Sequence, residues 1–166
     1  MASTQTIEIL SRGVLIHGEH ILLCRSIEGD YYYLPGGHVD PGEPCARACE
    51  REIDEEAGLT VSAGQCLLVN ELRFTQNGTP KHELTALFHV EHAGDGPADP
   101  LTPPPLEQRE AHIELVWVPL AAIPDLDLRP RCIRAWLAAG GVVRSDVIGT
   151  DTVGTSRTEW LSVDEC

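Results

Sequence analysis

The chain has 166 residues, enough for a single domain with a sizeable core, and its 42% hydrophobic content is ordinary for a globular protein. Lys and Arg number 12 against 26 Asp and Glu, so the net charge is −14, which disfavours nonspecific binding to duplex DNA or RNA and to anionic membranes. No apolar stretch approaches the length of a membrane span, and residues 1–5 lack the basic and apolar regions of a signal peptide. The sequence therefore predicts a cytoplasmic protein.

The first third of the chain predicts strands that lead into a glycine-rich turn. Residues 6–16 and 20–25 are rich in β-formers and are separated by His-Gly-Glu, which is typical of a hairpin. The run Leu-Pro-Gly-Gly at residues 34–37 follows three tyrosines at 31–33, so a strand is expected to end in this turn. Its glycines allow positive φ and the close approach of a ligand to the backbone.

A helix is predicted between residues 44 and 58. Pro44 suits the first helical position and Gly58 suits the residue that closes a helix. The helical spacing gives one narrow apolar stripe, formed by Ala46, Cys49, Ile53 and Ala57. Three acids fall together off that stripe, namely Glu52, Glu55 and Glu56.

These three carboxylates have two interpretations. Charged residues on a helix usually form a solvated face. Alternatively, carboxylates on adjacent turns offer oxygen ligands to a hard cation such as Mg²⁺, to which the carbonyl oxygen of Gly36 could be added.

The rest of the chain predicts further strands and a second helix. Residues 59–74 and 82–92 read as extended segments joined by a turn at 77–80, and residues 112–119 as another strand. Residues 130–139 read as a helix stopped by two glycines. This order of elements predicts an α/β sandwich with a mixed sheet between helices.

Two regions are irregular. Residues 94–105 contain five prolines and are expected to form neither an internal strand nor a helix; they form either a surface loop or a wall or lid over a cleft. Residues 140–166 are rich in Gly, Ser and Thr but hold several apolar residues. We therefore expect one domain over residues 1–139 and a C-terminal extension over 140–166, which either adds a strand, packs on a partner subunit or frays.

The helix and its preceding loop carry a specific motif. Glycine, five residues, glutamate, seven residues and then Arg-Glu-Ile-Asp-Glu-Glu-Ala-Gly-Leu resembles the Nudix box of the Nudix hydrolase family over residues 37–59. All fixed positions match, at Gly37, Glu43, Arg51, Glu52, Ile53, Glu55, Glu56, Gly58 and Leu59. The resemblance implies the Nudix-type α/β/α sandwich, with the box helix beside the substrate cleft, and a family that is often dimeric, so a homodimer is one expected assembly.

The resemblance also implies a reaction. It is the metal-dependent hydrolysis of a nucleoside diphosphate linked to another moiety, with Mg²⁺ as the cofactor and Mn²⁺ as an alternative. By this analogy Glu52 and Glu56 are the main metal ligands, and Glu55 is a further ligand or orients the attacking water. The carbonyl of Gly36 is another ligand, and Arg51 orients the acids.

The identity of the general base is open, because in this family the base comes either from the box or from a later loop. Glu110 is a candidate base or metal ligand, with His112 and Glu114 as competitors and Glu83 as a further alternative. Each of these has the simpler interpretation of an exposed strand residue. His38, in the loop, either meets a phosphate or faces solvent.

The substrate is less defined. Thr75 stands where the ADP-ribose group of the family has proline, and Gln76 and Asn77 replace the tyrosine of the dinucleoside-polyphosphate group. The motifs of the NADH and coenzyme A groups are absent. Side chains that could stack on a base, or simply pack in the core, are Tyr31 to Tyr33, Arg73 and Phe74. A nucleoside triphosphate or a nucleotide-sugar-like diphosphate is the expected substrate.

Two function classes follow: a pyrophosphohydrolase, and a non-catalytic Nudix domain that binds a nucleotide as a sensor. The intact Arg-Glu and Glu-Glu pairs of the box favour the enzyme, because a binding module has no chemical need for all of them.

Overall fold

The computed structural model describes residues 6–76, 78–94, 99 and 101–141 and a strand at Glu159–Asp164. Within these residues the chain forms one mixed sheet with helices on both faces. The strands are β1 (Glu8–His17), β2 (His20–Ser26), β3 (Tyr32–Tyr33), β4 (Gly36–His38), β5 (Val61–Gln76), β6 (Thr79–His92), β7 (Ile113–Pro119) and β8 (Glu159–Asp164). The helices are α1 (Cys45–Ala57), α2 (Arg131–Ala138) and a short 3-10 helix (Leu120–Asp125).

The sheet has the order β3-β2-β1-β6-β5-β8, with β4 beside β1 and β7 beside β2. β1 with β6 and β5 with β8 are parallel, and the other pairs are antiparallel, including the predicted first hairpin. β1 changes its partner on one side: Arg12 is its last residue paired with β4, and Ile16 is its first residue paired with β2. The two neighbours therefore separate along the middle of β1.

The two helices cover opposite faces, because successive strand residues point to opposite sides of a sheet. On one face α1 packs through Cys49 and Ile53 in a core cluster that contains Leu15 of β1. On the other face α2 packs through Ile133 in a cluster that contains Val14. Burying each such aliphatic side chain contributes about 1.5–3 kcal/mol. The predicted α/β sandwich is confirmed.

The ends of α1 follow from Pro44 and Gly58. Pro44 is the residue before the helix, with ψ 138°, rather than the first helical residue as predicted. Gly58 closes the helix in the left-handed conformation, with φ 65°, and its N–H donates to the carbonyl of Asp54 at 2.9 Å. The acidic face differs from the prediction: Glu56 is only 7% exposed and lies next to the apolar stripe.

Several boundaries also differ from the sequence prediction. The glycine-rich turn is followed at once by β4, because Gly36 and its two successors pair with β1. The central hairpin is longer than predicted, since β5 runs to Gln76 and β6 begins at Thr79; Asn77 lies outside the described residues. The second helix begins at Arg131 and is preceded by Pro130.

The proline-rich segment and the tail are described in part. Residues 99 and 101–105 form no helix or strand, and they pack at the ends of β1 and β7: His17 Nε2 lies 2.8 Å from the Asp99 carbonyl, and Trp117 donates to the carbonyl of Pro104 at 2.9 Å. Residues 95–98, 100 and 142–158 lie outside the described part, so the predicted boundary at residue 139 stays a prediction. β8 lies in the tail and pairs with β5. No described helix has the length and hydropathy needed to cross a membrane.

Candidate functional site

Two box carboxylates lie against adjacent residues of the glycine loop. The N–H of Gly36 donates to Oε2 of Glu56 at 3.0 Å. The carboxylate of Glu52 rests on Gly37, so closely that a Cβ on this glycine would lie 2.5 Å from its Cδ. The loop glycines therefore let the backbone approach α1 and hold Glu52 and Glu56 side by side, one helical turn apart.

Glu56 is the most buried of the box acids. Burial raises the pKa of Glu56 to about 7, opposed by the Gly36 N–H and by the charge of Arg12. The negative charges of Glu52 and Glu110 raise this pKa further. Glu56 also accepts from the Cys24 thiol, at 3.7 Å, and no cation pairs with it within 4 Å among the described residues.

Arg51 joins the other acids of the box. Its guanidinium forms two bonds to Glu43, at 3.0 and 2.9 Å, and this pairing lowers the pKa of Glu43. The same group donates to Glu52 at 2.9 Å and to Glu55 at 3.3 Å. It also donates to the carbonyl of His38 at 3.1 Å. Arg51 thereby fixes the loop and three acids relative to one another.

The donor chemistry of this cluster fits a hard divalent cation. No group of three or more His, Cys, Asp or Glu side chains within the described chain stands ready to hold a metal ion. However, Glu52 and Glu56 offer carboxylate oxygens from adjacent turns, and none of the cations that the structure describes pairs with the buried Glu56. Glu55 is more exposed and is held by Arg51. A cation between Glu52 and Glu56 would compensate the burial of the second carboxylate.

A cavity of about 630 Å³ opens on the α2 face of the sheet, and its lining residue Arg12 donates to the carbonyl of Gly36 in the glycine loop. Its walls combine aromatic and polar side chains, among them Tyr31, Tyr33, Asn70, Phe74, Glu83 and Arg12. This volume suits a nucleotide-sized ligand. Two residues for which the sequence left base contact open do not line it: Tyr32 packs against the core, and Arg73 is exposed.

The remaining candidates fall in different places. Glu110 lies close enough to Glu56 to raise its pKa, and it pairs with His112 at 3.2 Å. Glu114 pairs with Arg25 instead. Glu83 lines the cavity, where burial raises its pKa. His38 has an exposed ring, whose Nε2 lies 3.2 Å from Glu8.

Sequence reasoning missed two residues of this region. Arg12 donates to the carbonyls of Leu34 and Gly36, at 2.6 and 3.1 Å, and lines the cavity. Arg129 lies over the ring of Tyr31, with its Cζ 4.3 Å from the ring centroid. Only Arg12 had a signal in the sequence, as a single charged residue within the apolar stretch of β1.

Comparisons with known proteins agree with this geometry. A family model described as the NUDIX domain matches residues 8–138. Among solved structures, the MutT protein from Methanosarcina mazei Go1 superposes with a TM-score of 0.64 at 22% identity, covering 88% of this chain and 99% of that one. At this identity the likeness shows the fold.

Two curated relatives are NAD-capped RNA hydrolases NudC. That of Stutzerimonas stutzeri is 28% identical over 124 residues, and that of Deinococcus radiodurans is 31% identical over 121 residues. These alignments cover 73% and 72% of this chain but only 40% and 38% of the relatives, so the chain spans about two fifths of their length. Because the domain model covers most of the chain, including the whole box, the chain belongs to the Nudix family.

Proposed function

We propose that the protein is a divalent-metal-dependent pyrophosphohydrolase, with Mg²⁺ as its cofactor, that cleaves a nucleoside diphosphate linked to another moiety. One observation carries this proposal. The carboxylates of Glu52 and Glu56 lie on adjacent residues of the glycine loop, and Arg12 connects this loop to a cavity of about 630 Å³, because it lines the cavity and donates to the carbonyl of Gly36. The acids that would hold a charge-neutralising metal and the cavity that would hold the nucleoside are thus connected through the glycine loop.

The residues of the chain have separable tasks in this proposal. Glu52 and Glu56 hold the metal, which when bound neutralises phosphate oxygens and lowers the pKa of a coordinated water. Arg51 fixes the orientation of Glu52 and Glu55, and Glu55 orients the water or adds a ligand. Glu110 is the proposed general base, because it lies in the segment before β7 and its charge acts on the buried Glu56.

The substrate class follows from the cavity and from the relatives. Tyr31, Tyr33 and Phe74 offer aromatic faces, and Asn70 and Glu83 offer polar groups to a base or sugar. The curated relatives are named for acting on NAD-capped RNA, which agrees with a nucleoside diphosphate joined to a second group. A nucleoside triphosphate or a nucleotide-sugar-like diphosphate fits the same description.

A panel of nucleotides tests the proposal. With Mg²⁺ or Mn²⁺ present, we expect turnover of at least one nucleoside triphosphate, nucleotide sugar or dinucleotide, measured as released phosphate, pyrophosphate or nucleoside monophosphate. A chelator should abolish this turnover, and added Mg²⁺ should restore it, because the diphosphate and the acids repel each other without a cation.

The panel also tests the second function class. Tight binding of a nucleotide without turnover across the panel would identify a sensor domain and contradict the hydrolase. The burial of Glu56 favours the hydrolase, because a buried carboxylate next to the diphosphate opposes anion binding unless a metal is bound there.

Gly37→Ala is expected to lower activity with little loss of stability. Its φ is not in the left-handed region, but a Cβ would lie 2.5 Å from the Glu52 carboxylate and push it away from Glu56. We expect kcat to fall about 10- to 100-fold, since small displacements of a reacting geometry have effects of this size. Thermal unfolding should change by only a few degrees.

Gly64→Ala in β5 is the matched control, because its Cβ would meet a carbonyl oxygen at 3.7 Å, an ordinary contact. Equal activity of the Gly37→Ala variant and the wild type would show that the position of Glu52 is not critical.

A further inference from the structure

Arg12 lines the cavity and contacts the glycine loop, whose Gly36 also contacts Glu56 of the acidic helix. It is the last residue of β1 that pairs with β4, and its side chain is half-buried. One nitrogen, Nη1, donates to the carbonyl oxygens of Leu34 and Gly36, at 2.6 and 3.1 Å. These two bonds anchor the guanidinium against the glycine loop and fix its direction.

The anchored guanidinium has further N–H groups, on Nε and Nη2, that donate to no described residue. A guanidinium carries five N–H groups, and the two carbonyls occupy the two on Nη1. Within the described chain, no carboxylate lies within 4 Å of Arg12, although the protein has 26 acidic residues. By contrast, five other arginines each pair with a carboxylate at this distance: Arg25, Arg47, Arg51, Arg109 and Arg129.

The position of Arg12 matches the expected path of a substrate. Arg12 lines the cavity, and its charge partly offsets the burial that raises the pKa of Glu56 in the box and of Glu83 on the cavity wall. It therefore lies between the acids that would face the diphosphate and the space that would hold the nucleoside. A planar guanidinium fork matches two oxygens of one phosphate group.

We propose that Arg12 forms an anion subsite, independent of metal, for the phosphate group nearest the nucleoside. The inference rests on the proposed function in that it takes the substrate to be a nucleoside diphosphate derivative. Arg12 would add a direct protein contact that selects ligands with a phosphate at the entrance of the cavity. Arg12 is a binding and positioning residue in this arrangement, since the cleavage itself takes place among the box acids.

Equilibrium binding tests this subsite without turnover. The probes are the α,β-methylene analogues of the four ribonucleoside diphosphates and the four uncharged nucleosides, titrated by calorimetry in chelator and in Mg²⁺. For the wild type, we expect at least one analogue to bind more tightly than its nucleoside in both conditions. In Arg12→Gln this preference should fall about 10- to 100-fold, with nucleoside binding unchanged, because charge-assisted bonds to a phosphate are lost.

Two variants sharpen the experiment. Arg12→Lys keeps the charge but not the fork, so we expect it to retain part of the preference, and it serves also if Arg12→Gln fails to fold. Arg47→Gln removes the same charge from an exposed residue that pairs with Glu50, and it should behave as the wild type. An unchanged preference in both Arg12 variants, or a wild type that binds no analogue more tightly than its nucleoside, overturns the proposal. Because no cleavage is measured, these outcomes are separate from the result of the turnover panel.

Discussion

Glu56→Gln should abolish turnover and, in chelator, make the protein more stable than the wild type at pH 8. The loss of activity follows from the loss of a negatively charged metal ligand, and we expect kcat to fall at least about 100-fold, since metal ions contribute several kcal/mol to such reactions. The gain in stability follows from burial, because glutamine keeps an oxygen for the Gly36 N–H and removes the buried charge.

The stability gained in Glu56→Gln depends on pH, because the buried carboxyl is charged only at higher pH. Burial raises the pKa of Glu56 from 4.5 in the unfolded chain to about 7 in the metal-free fold. A carboxyl whose pKa is raised by folding costs nothing below pH 4.5, and its cost grows as the pH rises toward 7 and is complete above it. The difference between these two pKa values corresponds to about 3 kcal/mol of unfolding free energy. Denaturant unfolding at pH 4 and pH 8 should therefore show the advantage of Glu56→Gln at pH 8 only.

Mg²⁺ should reverse the order of stability. It stabilises a protein that binds it in the folded state, by about 4.1 kcal/mol at one thousand times its dissociation constant, and this gain exceeds the cost of about 3 kcal/mol of the buried charge. Wild-type protein should gain this stabilisation and Glu56→Gln should not. Glu50→Gln is a suitable control, because Glu50 pairs with Arg47 and the Ala63 N–H, away from the glycine loop. A variant of Glu56 that still responds to Mg²⁺ would contradict the assignment of this residue as a ligand.

Gly36→Ala should destabilise the fold by about 3 kcal/mol or more, which is a large part of the stability of a typical domain. Gly36 has φ +123°, where a side chain adds about 1–3 kcal/mol of strain. Its Cβ would also lie 2.2 Å from the backbone oxygen of Ser11, so β4 would have to move away from β1. We expect a decrease in Tm of about 6 to 12 °C, measured by calorimetry.

Gly42→Ala separates the two causes. Gly42 also has positive φ, at +89°, but no heavy atom lies within 4 Å of the position of its Cβ. This variant should therefore show only the conformational strain, about 1–2 kcal/mol. Equal losses in the two variants would mean that the approach of Gly36 to Ser11 is not tight.

The box helix was predictable because its signals are local. Gly58 ends α1 by adopting positive φ, and the apolar stripe through Cys49 and Ile53 places one face on the core. The strands were predictable for the same reason, since their β-forming runs are bounded by turn residues. Family membership likewise followed from one continuous segment of 23 residues, which the family model includes.

The remaining features of the candidate site depend on contacts between segments that are distant in the sequence. The helical pattern placed Glu56 off the apolar stripe, whereas in the fold it is buried and accepts a hydrogen bond from the N–H of Gly36, 20 residues earlier in the chain. Arg12 acquires its role from the carbonyls of Leu34 and Gly36, which no spacing rule connects to it. The cavity likewise collects Tyr31, Phe74 and Arg129 from three separate stretches. A single sequence carries little information on such long-range contacts.

The partner change of β1 has a consequence for how the protein can diversify. Apart from Glu110, the residues proposed to perform hydrolysis lie on α1 and are positioned by the glycine loop, whose strand β4 pairs with β1 and packs against α1. Much of the cavity rim comes from elsewhere, with Tyr31 before β3, Gln76 at a hairpin tip and Arg129 before α2. Substitutions at the rim can alter which compounds are accepted while leaving the bond-breaking apparatus untouched. New preferences can thus evolve, or be selected in a library, by varying these three places alone.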